Sequence, residues 1–331
     1  MASPGAIAIP TRRPHVKNPA LPLAAAAVLL LSACSTATAD DGSIRIVAST
    51  DVWGNIASAI AGPDVEVVSI IDSPDKDPHE YEASARDQLA VSRADIVIEN
   101  GGGYDEFMTT LLAATDADPE VIDAVDLSGL AEDDHDEKAG AAHDEGEHDE
   151  GEHEHGEFNE HVWYDLPTAV AVAREVADQL SELDPAGADG YGGRLDEFET
   201  GVAALQESVD TIGAADSGAQ VAVTEPVPLW LFEAMGLENV TPDEFSEAVE
   251  EDSDVPAGVL QDLLTTLESG EVRMLAYNDQ SATAQTEIVR TAAEGAGVPV
   301  VDFTETLPEG EDYLSWMGGN IERVRDALAA G

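Results

Sequence analysis

The chain has 331 residues, 14 Lys and Arg against 69 Asp and Glu, and a formal net charge of −55. So negative a surface repels nucleic acid and excludes it as a partner. The length suits two domains rather than one, and the single cysteine excludes an intrachain disulfide.

In chain order, Arg12, Arg13 and Lys17 make a positive start, and the run Leu21 to Leu31 is apolar. That run is shorter than the roughly 20 residues that a spanning helix needs. It ends in Leu31-Ser32-Ala33-Cys34, which resembles a bacterial lipobox. These features predict a lipoprotein signal peptide over residues 1–33, lipid attachment at Cys34 and a tether over 34–43. The mature chain is then expected outside the cytoplasmic membrane, anchored to its outer face. Several acyl chains anchor stably where one holds weakly. Thr11-Arg12-Arg13 resembles a twin-arginine signal only in part, so both export routes stay open.

Ile44 to Ala48 is apolar enough for a buried parallel strand, with Asp51 expected to cap a helix running to Ile60. Val65 to Ile71 and Asp95 to Asn100 read as further strands. Glycines 101 to 103 then lead to a helix over Tyr104 to Leu112. Strands alternating with helices predict a parallel α/β sheet.

Next comes an acidic, glycine-punctuated stretch carrying His135, His143, His148, His153 and His155, five of the eight histidines in the chain. Imidazole and carboxylate are the usual protein ligands of zinc and related divalent ions. A segment too polar to bury a core, yet rich in both, reads as an auxiliary low-affinity metal loop over 131–158. The acidity is not confined there: residues 132–160 hold fourteen acids and one lysine, a minor part of the excess. So general a charge fits two readings that the sequence does not separate: a saline habitat, where ions screen self-repulsion, or a local concentration of cations.

Pro167 to Leu183 and Tyr191 to Ile212 are helical. The second carries Leu195, Phe198, Val202, Leu205 and Val209 as one stripe. Strands are expected at Gln220–Thr224, Arg273–Tyr277 and Pro299–Phe303. Helices are expected from Pro228 to Met235, Pro256 to Leu267, Ala284 to Ala293 and Tyr313 to Leu328. The predicted organisation is an N-terminal α/β lobe over 44–187, a stiff linking helix over 188–214 and a C-terminal α/β lobe over 215–331.

Four places offer ligands at strand ends or beside the loop, where open α/β sheets bind. They are Asp77-Pro-His79-Glu-Tyr-Glu82, Asn159-Glu-His161-Val-Trp-Tyr-Asp165, Thr224-Glu225-Pro226 and Asn278-Asp279-Gln280. Pro78 restricts Asp77 and fixes the approach to His79. Glu80, Glu160 and Asp165 lie near enough in sequence to orient the imidazoles.

With the lipobox, the histidine loop, Glu225-Pro-Val-Pro-Leu229 and Tyr277-Asn-Asp-Gln280, these motifs resemble the metal-binding lipoproteins of bacterial zinc and manganese ABC importers. The resemblance spans the mature chain. It implies two α/β lobes with parallel sheets, joined by one long rigid helix, and a metal in the cleft between them. It also implies a monomer that meets an ABC permease. By that resemblance His79, His161 and Glu225 are ligands. The fourth, usually an aspartate after a late strand, falls on Asp279 as the nearest carboxylate, with Asn278 or a water as alternatives. Two imidazoles with one or two carboxylates suit zinc, manganese or iron; the histidine loop favours Zn2+, with Mn2+ as the other reading. A zinc-dependent hydrolase is the rival class, but the chain has no His-Glu-x-x-His, Gly-x-Ser-x-Gly or phosphate-loop motif. A surface adhesin or zinc-storage lipoprotein is the third.

Overall fold

The computed structural model describes residues 43–131 and 158–330, Asp75, Asp77 and Glu80 excepted. Cys34, the signal segment and the five loop histidines lie outside the described residues. Two four-stranded sheets, all parallel, organise the chain. The first comprises β1 (Arg45–Thr50), β2 (Glu66–Ile71), β3 (Ile96–Glu99) and β4 (Glu120–Asp123), in the order β2-β1-β3-β4. The second comprises β5 (Gln220–Val223), β6 (Glu238–Asn239), β7 (Val272–Asn278) and β8 (Val300–Phe303), in the order β6-β5-β7-β8. The expected α/β class with two parallel sheets is therefore the observed one.

Eleven helices are described, numbered here in chain order. In the first half α1 (Asp51–Ala61), α2 (Ala85–Val91), α3 (Glu106–Ala113) and α4 (Ala124–Ser128) follow strands or their connections. A 3-10 turn at Val162–Tyr164 leads into α5 (Leu166–Leu183), and α6 (Ala188–Asp216) is the longest helix, with 29 residues. At 1.5 Å per residue it is about 43 Å long. The second half adds α7 (Leu229–Ala234), α8 (Asp243–Glu250), α9 (Ala257–Leu267), α10 (Ala284–Ala296) and α11 (Tyr313–Ala330).

Alternation along the strands assigns each residue to one of two helix layers. Ile46 and Ala48 of β1, and Ile96 and Ile98 of β3, face the same core as Val221 and Val223 of β5 and Met274 and Ala276 of β7. Residues of α1, α5, α6 and α11 complete that core, which includes Trp53, Val172, Val202 and Trp316. Val47 and Val97 face the opposite way, onto α2 and α3. Ala222 and Leu275 face α8, α9 and α10. The inner faces of both sheets thus share one apolar cluster around α6. Gly201 lets α6 approach α11, because a Cβ there would meet Leu314 Cδ1 at 2.5 Å.

One capping expectation fails. Thr50, not Asp51, is the N-cap of α1, and Asp51 is its first helical residue. The Asp51 Oδ1 instead accepts the Leu307 N–H at 3.2 Å, tying the first half to the loop after β8.

Candidate metal centre

The ligand-bearing segments all leave the carboxyl ends of strands or join them there, as open α/β sheets favour. His79 follows β2, Glu225 follows β5 and Glu305 follows β8. His161 sits just before the 3-10 turn, where Val162, Trp163 and Tyr164 are fully buried. That burial pins the segment, and hydrogen bonds from both halves fix its course. The Asn100 Nδ2–H donates to Glu160 O at 2.9 Å, the Trp230 Nε1–H to Asn159 O at 2.8 Å and the Tyr313 O–H to Trp163 O at 2.9 Å. Asn100 is itself held by its N–H donating to Asp105, which also accepts from Gly101. The turn after β3 needs glycine, because Gly101, Gly102 and Gly103 all have positive φ.

Donor atoms of His79, His161 and Glu305 lie within 4.8 Å of one another. His161 Nε2 is 4.0 Å from Glu305 Oε2. His161 is 1% exposed, whereas His79 is exposed, so the group opens on the His79 side. Tyr104 and Trp163 wall it: Tyr104 stands edge-on to His79 at 4.9 Å and Trp163 to His161 at 5.1 Å between ring centroids.

Asn159 Oδ1 lies 2.8 Å from His161 Nδ1 and also accepts the His161 backbone N–H at 3.1 Å. With the ring proton on Nδ1, the Nε2 lone pair faces Glu305 and is available to a cation. Burial first, and the neighbouring His79 second, hold the His161 pKa well below the usual histidine value. The ring is therefore neutral near pH 7, the form that binds metal.

Glu305 is the member of this group that sequence reading missed. Tyr104 O–H donates to its Oε2 at 3.1 Å and Asn278 Nδ2–H to its Oε1 at 2.8 Å. Gln280 Oε1 accepts its backbone N–H. Burial, then the charge of Glu225, raise its pKa to about 7. Glu225 is 6% exposed and accepts from Ser281 Oγ. Asp279 was expected as fourth ligand, and the structure turns it elsewhere. Its Oδ1 is 3.7 Å from Arg290 Nη1 and its side chain is 71% exposed. The β7 strand runs through Asn278, whose amide supports Glu305, and the chain then carries the Asp279 side chain outward. Asn278 acts as a donor to the carboxylate.

The orienting residues also differ from expectation. Asp165 caps α5 by accepting from Thr168 N and Oγ1, and Asn159 takes the place beside His161. Glu80 lies outside the described residues. Glu160 and Glu250 approach His79 from the opening, again within 4.8 Å. The shared chemistry is that of a cation site: two imidazoles, of which the buried His161 is neutral, close to several carboxylates.

Residues 46–327 match the family described as zinc-uptake complex component A, periplasmic. Among characterised relatives, a metal ABC transporter substrate-binding lipoprotein of Lactococcus lactis is 24% identical, over 93% of this chain and 96% of its own. A manganese-binding lipoprotein of Halalkalibacterium halodurans is 25% identical over 89% and 92%. An iron ABC transporter substrate-binding lipoprotein of Streptococcus pyogenes is 24% identical over 91% and 95%. The fold is that of a manganese-bound periplasmic metal-binding protein of Candidatus Liberibacter asiaticus, with TM-score 0.63 and 16% identity over 86% of this chain and 99% of that one. It is also that of a nickel-bound substrate-binding protein of Pseudomonas aeruginosa, with TM-score 0.65 and 20% identity over 87% and 97%. With its match running through both sheets, the chain belongs to the zinc-uptake component A family, the substrate-binding proteins of metal ABC importers.

Proposed function

We propose that this protein is an extracytoplasmic lipoprotein that captures Zn2+ and delivers it to an ABC permease, with no catalytic activity of its own. His79, His161, Glu225 and Glu305 would hold the ion, and Cys34 would carry the lipid. The carrying observation is the convergence of His79, His161 and Glu305 at the strand ends, with Asn159 fixing the His161 tautomer. The choice of zinc rests on the loop histidines His135, His143, His148, His153 and His155, because imidazole suits zinc better than manganese. That segment re-enters the described chain at Phe158, three residues before His161.

Manganese is the second reading, and one observation favours it. Glu305 adds a second buried carboxylate to Glu225, and oxygen-rich sets suit the harder ion.

Competitive titration decides between them. The mature chain from Cys34, its His79→Ala variant and a variant lacking residues 133–156 would be titrated with zinc and manganese, reading bound metal by mass spectrometry. One tight zinc that survives excess manganese, is lost in His79→Ala and persists without the loop is the expected result. Manganese retained in the tight site would overturn the zinc assignment. Loss of the tight site with the loop would overturn the separation of loop and site.

A further inference from the structure

The exposed ring of His79 belongs to two groups of donors. One is the inner group with His161 and Glu305. The other comprises His79, Glu160 and Glu250, whose donor atoms also lie within 4.8 Å of one another. The inner partners are buried, whereas Glu160 and Glu250 are half-buried. Glu250 Oε1 stands 3.8 Å from His161 Nδ1, so the two groups are adjacent.

Glu250 is poorly accommodated as a purely structural residue. Its Oε1 is buried with no hydrogen-bond partner among the described residues, a condition rare in folded proteins and expensive for a carboxylate. It is the last residue of α8, where the helix dipole presents its negative end and the last turn holds no basic residue. A divalent cation beside it would relieve both penalties.

The geometry points to a second, outer cation position formed by His79, Glu160 and Glu250, through which a divalent metal ion passes on its way into and out of the inner group. His79 is common to both, so the ion moves inward by exchanging two carboxylates for His161 and Glu305 without leaving the imidazole. This deepens the metal-capture reading and rests on it. Glu160 directly precedes His161, so the polypeptide entering from the histidine segment supplies the outer ligand before the inner one.

A transit position has a kinetic signature of its own. Its loss raises the barrier in both directions and leaves the end states unchanged. The test follows zinc capture by the full mature chain, and chelator-driven release of its one tightly held equivalent. In Glu250→Gln both rates should fall together by about tenfold, the equivalent of ~1.4 kcal/mol of barrier, so that Kd moves far less than either rate. Glu160→Gln should give the same pattern and guards against a local effect at α8. The exposed neighbour Glu251 supplies the charge control. Glu251→Gln removes an exposed, screened charge next to the position and should change either rate by less than about twofold. Unchanged rates in Glu250→Gln would overturn the proposal. So would faster release with weaker affinity, which would make Glu250 an inner ligand or a structural support. Failure of the metal-capture reading itself would look different: His161→Ala would keep its tight zinc.

Discussion

The two sheets have the same strand order and place their functional loops at the same ends, yet they contribute opposite chemistry. The first half supplies both imidazoles, His79 and His161, within aromatic walls of Tyr104 and Trp163. The second supplies Glu225, Glu250 and Glu305; burial and the charge of Glu225 raise the proton affinity of both Glu250 and Glu305. A neutral imidazole tolerates burial without a cation, and a cluster of carboxylates does not. The first half is therefore preformed and the second half is waiting for charge. Metal binding should compensate charge in the second half and leave the first unchanged.

The largest break in this contrast comes from the imidazole side. His161→Ala removes the buried nitrogen donor and should weaken zinc binding by more than about 100-fold, beyond the range for loss of an orienting partner. Competition against a chelator of known affinity measures it. Asn159→Ala keeps the donor and frees its tautomer, with an expected loss of about 10- to 100-fold. An unchanged affinity would show that packing against Trp163 alone orients the ring.

The carboxylate side is tested by pH. Glu305 has its pKa raised to about 7 in the folded metal-free protein, above its ordinary value of 4.5. Between those values the folded state holds a proton that the unfolded state has released. This group therefore favours folding at low pH, and its contribution is lost as pH rises through about 7. Bound metal compensates the ionised carboxylate, so the rise in Tm on adding zinc should be larger at pH 8 than at pH 5.5 in calorimetry. Glu305→Gln should flatten that dependence and raise the Tm of the metal-free protein. Equal gains at both pH values would mean that the carboxylates are compensated without metal. His161, whose pKa is depressed, contributes little to the change near neutrality.

The smallest effect belongs to Asp279. Its pairing with Arg290 is exposed, and exposed pairs contribute ~0–1 kcal/mol. Asp279→Asn should leave zinc affinity within about twofold by the same titration.

The main architecture was legible because buried parallel strands are short apolar runs and their helices carry striped faces. The strands through Ile46, Val221 and Leu275, and the helix through Phe198 and Val202, announce themselves in this way. The four-residue β4 and the two-residue β6 do not, since both are too short and too polar for a periodicity to form. The imidazoles were legible because histidine is scarce outside the loop. The carboxylates were not, because a chain with 69 acids gives any one of them little distinction. Asp279 and Glu305 each stand two residues past a predicted strand end, Tyr277 and Phe303, so strand position alone does not separate them. Glu250 carried no comparable signal, since it lies in an acidic run and α8 was not foreseen.

The apolar cluster that joins both sheets through α6 also governs how the protein comes apart. Ile46, Val202 and Met274 have side chains in one continuous interior, so neither half can melt while the other keeps its packing. Heating should give a single calorimetric transition whose van't Hoff and measured enthalpies agree, despite the two-sheet outline. Amide hydrogens in β1 and β7 should exchange only through that global event, while those of the ligand loops exchange through small local openings.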